Sequence, residues 1–543
     1  MSNSIIENVF FPKLLSYETY KERKSGAGQI LTGLGKWWGR KPLVYVRALL
    51  LGILLPAAGN IEKDTEIYMK LLGLSERELL RRKNKNIEPL VKYEYMTEEE
   101  KGRYGAVVDY KINGPELDRF KREIIRRMEK NNYTPDTLPA DVAFKYATDE
   151  EKKEYLRISF KNLSTQEKKE LELLIFKRLP YDLKLNYCMG LDKLDNLSEE
   201  TWEEINQYLG TNAHSYQELV KELGERRFGQ IPTVGDPFCG GGNIPFEAAR
   251  LGFNVYASDL NPIAMLLTWS ALNLLSLPEE KIDELKAFQK RVFELADKQI
   301  TEWGIEHNLK GHRANAYLYC TETVCPDCGW KVPLAPSWVI GKKTRTIAVF
   351  KENDKNKSFD IEIKMNASDE EMEKAKRGTV VNSNLMCPHC KNSIPMSVVR
   401  RDKRDENGNI IWGLRRWEKN EFIPREDDVF QERLYCIRYE DKEGNRYYKA
   451  PDEEDLKREK KVIELLRERF DRWQQKGYIP SDVIEEGEET SRLYRERGWA
   501  YWHQLFNPRQ LLLHGLLMEL IDKEAKAKEE KIVGLLGVNR CCN

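Results

Sequence analysis

Nowhere in this chain of 543 residues do two prolines stand side by side. Net charge is missing as well: 89 lysines and arginines balance 89 aspartates and glutamates. That balance excludes a global polycationic footprint, so any nucleic-acid contact needs a local basic face. Long apolar runs are lacking too. The longest, Leu49 to Ala58, is too short to span a bilayer and has Arg47 just before it. Nothing resembles a signal peptide, and no repeat of fixed period is evident. These absences predict a soluble, cytoplasmic protein, long enough for about two to four domains with substantial cores.

What is present centres on Gly235-Asp236-Pro237-Phe238-Cys239-Gly240-Gly241-Gly242-Asn243. Thr233 to Gly235 read as the end of a short strand. The glycines then let the backbone turn tightly and approach a ligand, since no Cβ intrudes. Asn243 to Leu251 places Ile244, Phe246, Ala248 and Ala249 on a helix, and Phe253 to Ser258 is a second strand ending at Asp259. Strand, glycine loop, helix, strand and acid form the pattern of a nucleoside-binding α/β unit, with the acid about 20 residues on to take the ribose hydroxyls. A dinucleotide loop would need G-x-G-x-x-G, which these glycines do not supply. The plainer alternative is a strand-to-helix turn in which Asp236 caps the helix.

The D-P-F-x-G-x-G form, followed by Ser258-Asp259-Leu260-Asn261-Pro262, resembles motif I and the next acidic motif of amino-methyltransferases that act on nucleic acids. The resemblance implies S-adenosylmethionine (SAM) as cofactor. Asp236, Pro237, Phe238, Cys239, Gly240, Gly241, Gly242, Asn243, Asp259, Leu260 and Asn261 would line its site.

Earlier in the chain, Leu34-Gly35-Lys36-Trp37-Trp38-Gly39-Arg40-Lys41-Pro42-Leu43 precedes an apolar helix from about Val44 to Leu55. It resembles the W-W-x-R-R-P-L signature of a family of large chains identified as adenine-specific DNA methyltransferases. Lys36 stands where that family commonly has histidine, and Lys41 replaces an arginine. The segment also looks like the K-W-x-G-G-K motif of the Dam type, which closes over the methionine end of SAM. Arg40 or Lys41 would then pair with the cofactor carboxylate, and Trp37 or Trp38 would cover the sulfonium. The alternative is tryptophans in the core and solvated basic residues. The implied fold is α/β, an incomplete Rossmann-like SAM-dependent methyltransferase core with a helical insertion and an inserted zinc-ribbon/β domain.

Four of the ten cysteines form two C-P-x-C knuckles, Cys325-Pro326-Asp327-Cys328 and Cys387-Pro388-His389-Cys390. Four thiolates suit a structural, closed tetrahedral zinc site better than disulfides in a reducing compartment. The wide gap between knuckles reads as an arm: a hairpin from Thr344 to Phe350 and Phe359 to Lys364, then a short helix from Asp369 to Arg377. Cys320 and Cys436 read as buried small apolar residues, and Cys239 as fitting its loop because it is small.

The parts fall in the order found in Dam-like enzymes. Residues 1–59 carry the W-W segment, expected to pack on the SAM site; 60–205 are a charged helical insertion; 206–319 are the SAM-binding core. Residues 320–400 are the zinc ribbon, 401–450 a β-rich target-recognition candidate, and 451–543 a helical region leading to a missing catalytic half. Ile410 to Trp417 and Arg433 to Tyr439 interleave aromatics with arginines, as a nucleic-acid surface or as a half-buried sheet with a charged face. Glu453 to Lys476 and Trp499 to Leu520 each read as one helix. Phe506-Asn507-Pro508-Arg509-Gln510-Leu511 resembles an F-x-x-R-Q-L signature that the family carries before its catalytic motif.

That catalytic motif, D/N-P-P-Y/F/W, is absent. Its side-chain oxygen and a proline carbonyl accept hydrogen bonds from the target amine while the aromatic stacks on the extruded base. Neither Leu179-Pro180-Tyr181-Asp182 nor Asn507-Pro508-Arg509 supplies it, so no catalytic residue is assigned. Gly537 to Asn543 reads as neither a finished strand nor a finished helix. Three readings follow. The first is a DNA adenine-N6 methyltransferase whose catalytic motif is lost or encoded on another polypeptide. The second is an RNA guanosine-N2 methyltransferase, which the loop also resembles. The third is a non-catalytic subunit that binds SAM and DNA, for instance in a defence system.

Overall fold

The computed structural model describes residues 3–24, 30–128 and 133–542. With 49% helix and 16% strand the fold is mixed α/β. It divides into two compact units, residues 1–277 and 278–543.

In the first unit, α1 (Pro12–Lys24) and α2 (Leu43–Leu54) frame the W-W segment. The apolar stretch seen in the sequence is α2, which buries Leu43, Val44, Val46, Ala48, Leu51 and Leu54. Its first amides have no intrahelical acceptors. Glu22 of α1 supplies them instead, accepting from Leu43 N at 2.8 Å and Val44 N at 3.3 Å. Burial pushes the Glu22 carboxyl up to about 7, against the opposing pull of those two amides.

Residues 60–205 are mostly helical as expected, but they also hold an antiparallel pair, β1 (Val107–Tyr110) and β2 (Leu156–Ser159). Four residues are too few for a period-two pattern to stand out among lysines and glutamates. The strands form because Val108, Leu156 and Ile158 bury against Phe120 and Ile124.

Helix α3 (Tyr216–Phe228) leads into β3 (Thr233–Asp236), α4 (Asn243–Leu251), β4 (Asn254–Ala257) and α5 (Pro262–Asn273). Strands β3 and β4 are parallel, pairing Thr233 with Asn254 through Asp236 with Ala257. Among the described residues they form a sheet of two strands. Helix α4 is tied to α2 by a buried ion pair, Arg47 Nε to Glu247 Oε1 at 2.6 Å, with both side chains at most 1% exposed. Arg47 also donates to the Leu194 carbonyl at 3.2 Å, and Arg250 closes on Glu247 at 2.9 Å.

The second unit opens with α6 (Glu279–Trp303). Strands β5 (Arg313–Val324) and β6 (Lys331–Leu334) join a later pair, described below. Next come the antiparallel β7 (Val339–Gly341), β8 (Thr346–Asn353) and β9 (Ser358–Lys364), then α7 (Asp369–Ala375), so the hairpin and short helix expected of the arm are both present. Three short strands, β10 (Val380–Val381), β11 (Asn384–Met386) and β12 (Ser393–Pro395), carry the second knuckle.

Strands β13 (Phe430–Glu440) and β14 (Arg446–Lys449) complete a four-stranded antiparallel sheet in the order β14-β13-β5-β6. The β-rich expectation for Ile410 to Trp417 holds only at Ile410–Ile411; the rest is irregular.

Two expected single helices are each broken. Helix α8 (Glu453–Arg467) stops, and α9 (Phe470–Lys476) restarts where Phe470 and Trp473 turn into the core. After a 3₁₀ turn at Trp502–Leu505 comes α10 (Pro508–Glu524), whose break is set by Pro508 at its first position. Asn507 caps it by accepting from Gln510 N at 2.9 Å, so Asn507-Pro508 is a helix start rather than an echo of a catalytic motif. Gly537 to Cys541, expected to be neither strand nor helix, are the last turns of α11 (Lys528–Cys541); Asn543 lies outside the described residues.

The Arg47→Ala protein should lose up to about 3–5 kcal/mol, because Glu247 stays fully buried with only Arg250 left to pair it. Arg47→Met with Glu247→Leu should recover most of that loss; denaturant melts of the first unit measure both. Glu22 gives a pH signature. Its folded pKa lies above its unfolded one, so its contribution is full below about pH 4.5 and is lost as pH rises through about 7. Glu22→Gln should flatten the melting temperature between pH 5 and 8.

Candidate functional site

The glycine loop runs between the C-terminal end of β3 and the start of α4. Cys239 N donates to Ser258 O at 3.0 Å and Ser258 N to Asp236 O at 3.0 Å, so the loop and the end of β4 are laced together. Asp259 finishes the lacing. Its Oδ2 accepts from Gly240 N at 2.8 Å and its Oδ1 from Asn261 N at 2.8 Å. The Asn261 amide first, and the Gly240 amide next, hold this carboxyl below the usual range. Each oxygen keeps accepting capacity, and the side chain is partly open to solvent.

Asp236 does not cap α4. Its Oδ1 accepts from Phe238 N at 3.2 Å in a local turn, and the helix cap is Gly242 in the left-handed conformation. Pro237, Phe238 and Leu260 are exposed, the last two at 78% and 95%, so apolar groups stand in solvent beside the acid. Cys239 is buried and its Sγ lies 3.3 Å from Thr268 Oγ1, which also donates to Gly240 O at 3.3 Å. Asn243 is buried, and its Oδ1 has no partner. Asn261 caps α5 by accepting from Ile263 N at 2.9 Å.

The W-W segment lies against this loop, and its two tryptophans separate. Trp37 packs on the glycines: a Cβ at Gly240, where φ is +51°, would fall 2.6 Å from Trp37 Nε1. At Gly241 a Cβ would fall 3.0 Å from Trp37 Cβ and 3.1 Å from Arg40 Nε. Trp38 instead stands 80% exposed with the Lys36 ammonium 4.3 Å from its ring centre. Arg40 donates one nitrogen to Gly35 O at 2.6 Å, while its buried Nε and Nη1 have no partner among the described residues. Lys41 is exposed. The open choice in the sequence thus resolves by position: Trp37 and Arg40 meet the loop, Trp38 and Lys41 face solvent. Thr268 and the Arg47–Glu247 tie were not foreseen, because no local motif marks them.

In the second unit the four knuckle cysteines converge. Their sulfurs lie within 4.8 Å of one another, with Cys325 to Cys390 at 3.9 Å and Cys328 to Cys387 at 3.7 Å. A tetrahedron of thiolates at about 2.3 Å from a metal has edges of about 3.8 Å, whereas a disulfide needs about 2.05 Å. The cluster is therefore sized for an ion.

Each knuckle turns the same way. Cys325 N donates to Trp330 O at 2.7 Å and Cys387 N to Asn392 O at 3.1 Å, with Gly329 and Lys391 both at positive φ. Asn392 Nδ2 donates to Asp327 at 2.7 Å, and Trp330 stacks on His389 at 4.0 Å. Burial pushes the Cys387 thiol up to about 12, so a cation must displace protons to bind. Cys320 and Cys436 are buried apart from this cluster, as expected.

The arginines interleaved with aromatics are mostly spent internally. Arg415 pairs with Asp428 and Glu421, Arg433 with Glu322 at 2.9 Å, Arg416 with Glu486 at 2.9 Å, and Arg438 with Asn315 at 2.8 Å. Arg433 and Arg438 fit the half-buried sheet with a charged face, whereas Arg415 and Arg416 lie on irregular chain and pair with acids there.

Against known proteins, a family model described as a protein of unknown function (DUF1156) matches residues 11–71, which hold α1, the W-W segment and α2. No curated protein and no solved structure matches. No helix among the described residues is long and apolar enough to cross a membrane.

Elemental analysis of the purified protein should find one divalent metal per chain, and Cys325→Ser should lose it and lower the melting temperature of the second unit. Absence of stoichiometric metal in the unsubstituted protein would refute the centre.

Proposed function

We propose that the chain is the cofactor-holding part of a SAM-dependent nucleic-acid amino-methyltransferase, with DNA adenine N6 as the target. Its first unit would then be an incomplete Rossmann-like core. The observation that carries the reading is the joint placement of Trp37, Arg40 and Asp259 on one glycine loop. SAM, when bound, supplies an electrophilic methyl group on a sulfonium. The residues present suit it. Asp259 retains accepting capacity for ribose hydroxyls. The glycine backbone gives close approach, and Arg40 has two nitrogens lacking an anion. Trp37 would meet the sulfonium through its ring face. Holding the exocyclic amine by hydrogen bonds would fall to a D/N-P-P-Y segment, which these 543 residues do not contain. The four-cysteine centre would take zinc in a closed, structural role.

The W-W segment and the internal cysteine knuckles favour DNA over RNA. Calorimetry with SAM tests the cofactor assignment directly: Asp259→Ala should weaken binding about tenfold or more, since hydrogen bonds to a charged group contribute roughly 1.5–3 kcal/mol. Unchanged affinity would sink it. Transfer of label from tritiated SAM to duplex DNA should require an added D/N-P-P-Y segment, and label appearing in tRNA alone would favour the guanosine-N2 reading.

A further inference from the structure

Three connected cavities, of about 620, 290 and 160 Å³, open beside β5 and β13 in the second unit. Glu432 lines the largest and the smallest, Tyr319 the largest and the middle one, and Gln510 the middle and the smallest, so they form one groove. The residues of the F-x-x-R-Q-L signature lie along it, though nothing in the cofactor reading uses them.

The smallest cavity is walled by the rings of Trp417, Phe430 and Trp499. Two distant segments meet to place the tryptophans. Trp417 N donates to Gly498 O at 2.8 Å, and Gly498 has φ of +79° with no room for a Cβ, which would fall 2.4 Å from Arg415 O. Arg497 lies beside the rings, 5.7 Å from Trp499 and 5.9 Å from Phe430. It donates one nitrogen to Thr321 Oγ1 at 2.9 Å, and no carboxylate among the described residues pairs with it.

The polar groups of the groove are of complementary kinds. Asn507 and Gln510 each spend the side-chain oxygen on the other's backbone amide, at 2.9 and 3.0 Å, which leaves two NH₂ groups as donors. Glu432 is an acceptor with no hydrogen-bond partner among the described residues. Its side chain keeps an exposed face, and desolvation first and Glu459 next raise its carboxyl against the pull of Arg497. By contrast Arg509 and Glu459 are locked, Arg509 Nη2 to Glu459 at 2.6 Å and Tyr319 to Glu459 at 2.6 Å, and serve as floor.

An aliphatic ligand would bury Glu432 and the two amides unpaired, and a bare phosphate would leave the rings uncovered. A flat heterocycle with donors and acceptors on its edge, attached to an anion, satisfies all of them.

We infer that this groove takes an unstacked base of single-stranded DNA. Trp417 and Trp499 offer the stacking surface, Glu432 with Asn507 and Gln510 meets the base edge, and Arg497 reaches the neighbouring phosphate. The inference rests on the nucleic-acid reading above for its class of ligand, not on the cofactor site.

Fluorescence anisotropy of the full chain tests it, comparing a labelled single-stranded oligonucleotide with an abasic one of equal length at fixed salt. The base-bearing strand should bind about tenfold tighter, the scale of base–aromatic stacking. Trp499→Ala should erase that difference, while Trp412→Ala, outside the groove, should preserve it. Equal binding of the two strands, or an unaffected Trp499→Ala protein, overturns the inference. Metal content and melting report whether the variant folds. Should Trp499→Ala not fold, Glu432→Gln takes its place, with an expected loss of about fivefold for the base-bearing strand alone; no loss overturns the inference. Calorimetry with SAM on the same samples separates the two readings: a base preference without SAM binding leaves the groove standing and removes the cofactor assignment, and SAM binding without a base preference does the reverse.

Discussion

A single buried ion pair decides whether the first unit has a site at all. Arg47 sits on the helix that follows the W-W segment, and Glu247 on the helix that follows the glycine loop. Separated by 200 residues in sequence, they meet where neither can reach water. Such a pair contributes little net stability compared with an apolar replacement, yet it is costly to satisfy in any other arrangement. Its effect is on placement. It fixes α2 on α4, and Trp37 and Arg40, a few residues before α2, are thereby held on the backbone of Gly240 and Gly241. Glu22 acts in series by capping α2 from α1, so three segments are tied through charge rather than shape alone.

The second unit solves a similar problem by different means. Its knuckles are separated by an arm containing β7 to β9 and α7, and closing so long a loop costs chain entropy. Four sulfurs placed to hold one ion would provide a strong, local tie that does not depend on the arm's own sequence. Around them Trp330, Phe359, Leu385 and Ile394 form a small core, too small to be expected to hold two distant strands together unaided. The metal centre and this core then share one task, that of anchoring one end of the β5–β13 sheet.

Legibility followed the range of the interactions. The glycine loop, α4 and β4 were readable because their determinants lie within about 30 residues, the span of one βαβ unit. The cysteine knuckles were readable because ligand spacing is chemical, not conformational. Helix lengths were not. Glu453 to Lys476 keeps helical composition throughout, and it breaks only because Phe470 and Trp473 find the core formed by Phe422, Leu511 and Leu512. β1 and β2 escaped notice for the same reason, since their paired residues lie 46 to 52 positions apart. At the site, Arg40 and Lys41 were equivalent in sequence, and only burial against Gly241 tells them apart.

Charge shows most clearly how composition and site diverge. Equal numbers of acids and bases leave no overall attraction for a polyanion. Most arginines that stood out beside aromatics are neutralised within the fold, so the pattern that suggested a nucleic-acid surface mostly describes internal pairing. A desolvated donor survives instead at Arg40, pressed on glycine backbone with two buried nitrogens lacking a partner among the described residues, while Arg497 stands exposed beside aromatic rings. A guanidinium desolvated in that way discriminates by geometry, because only a ligand that carries its negative charge to the right depth repays the desolvation already incurred. A neutral chain with such a position is suited to selecting one bound geometry, and poorly suited to holding nucleic acid by charge alone.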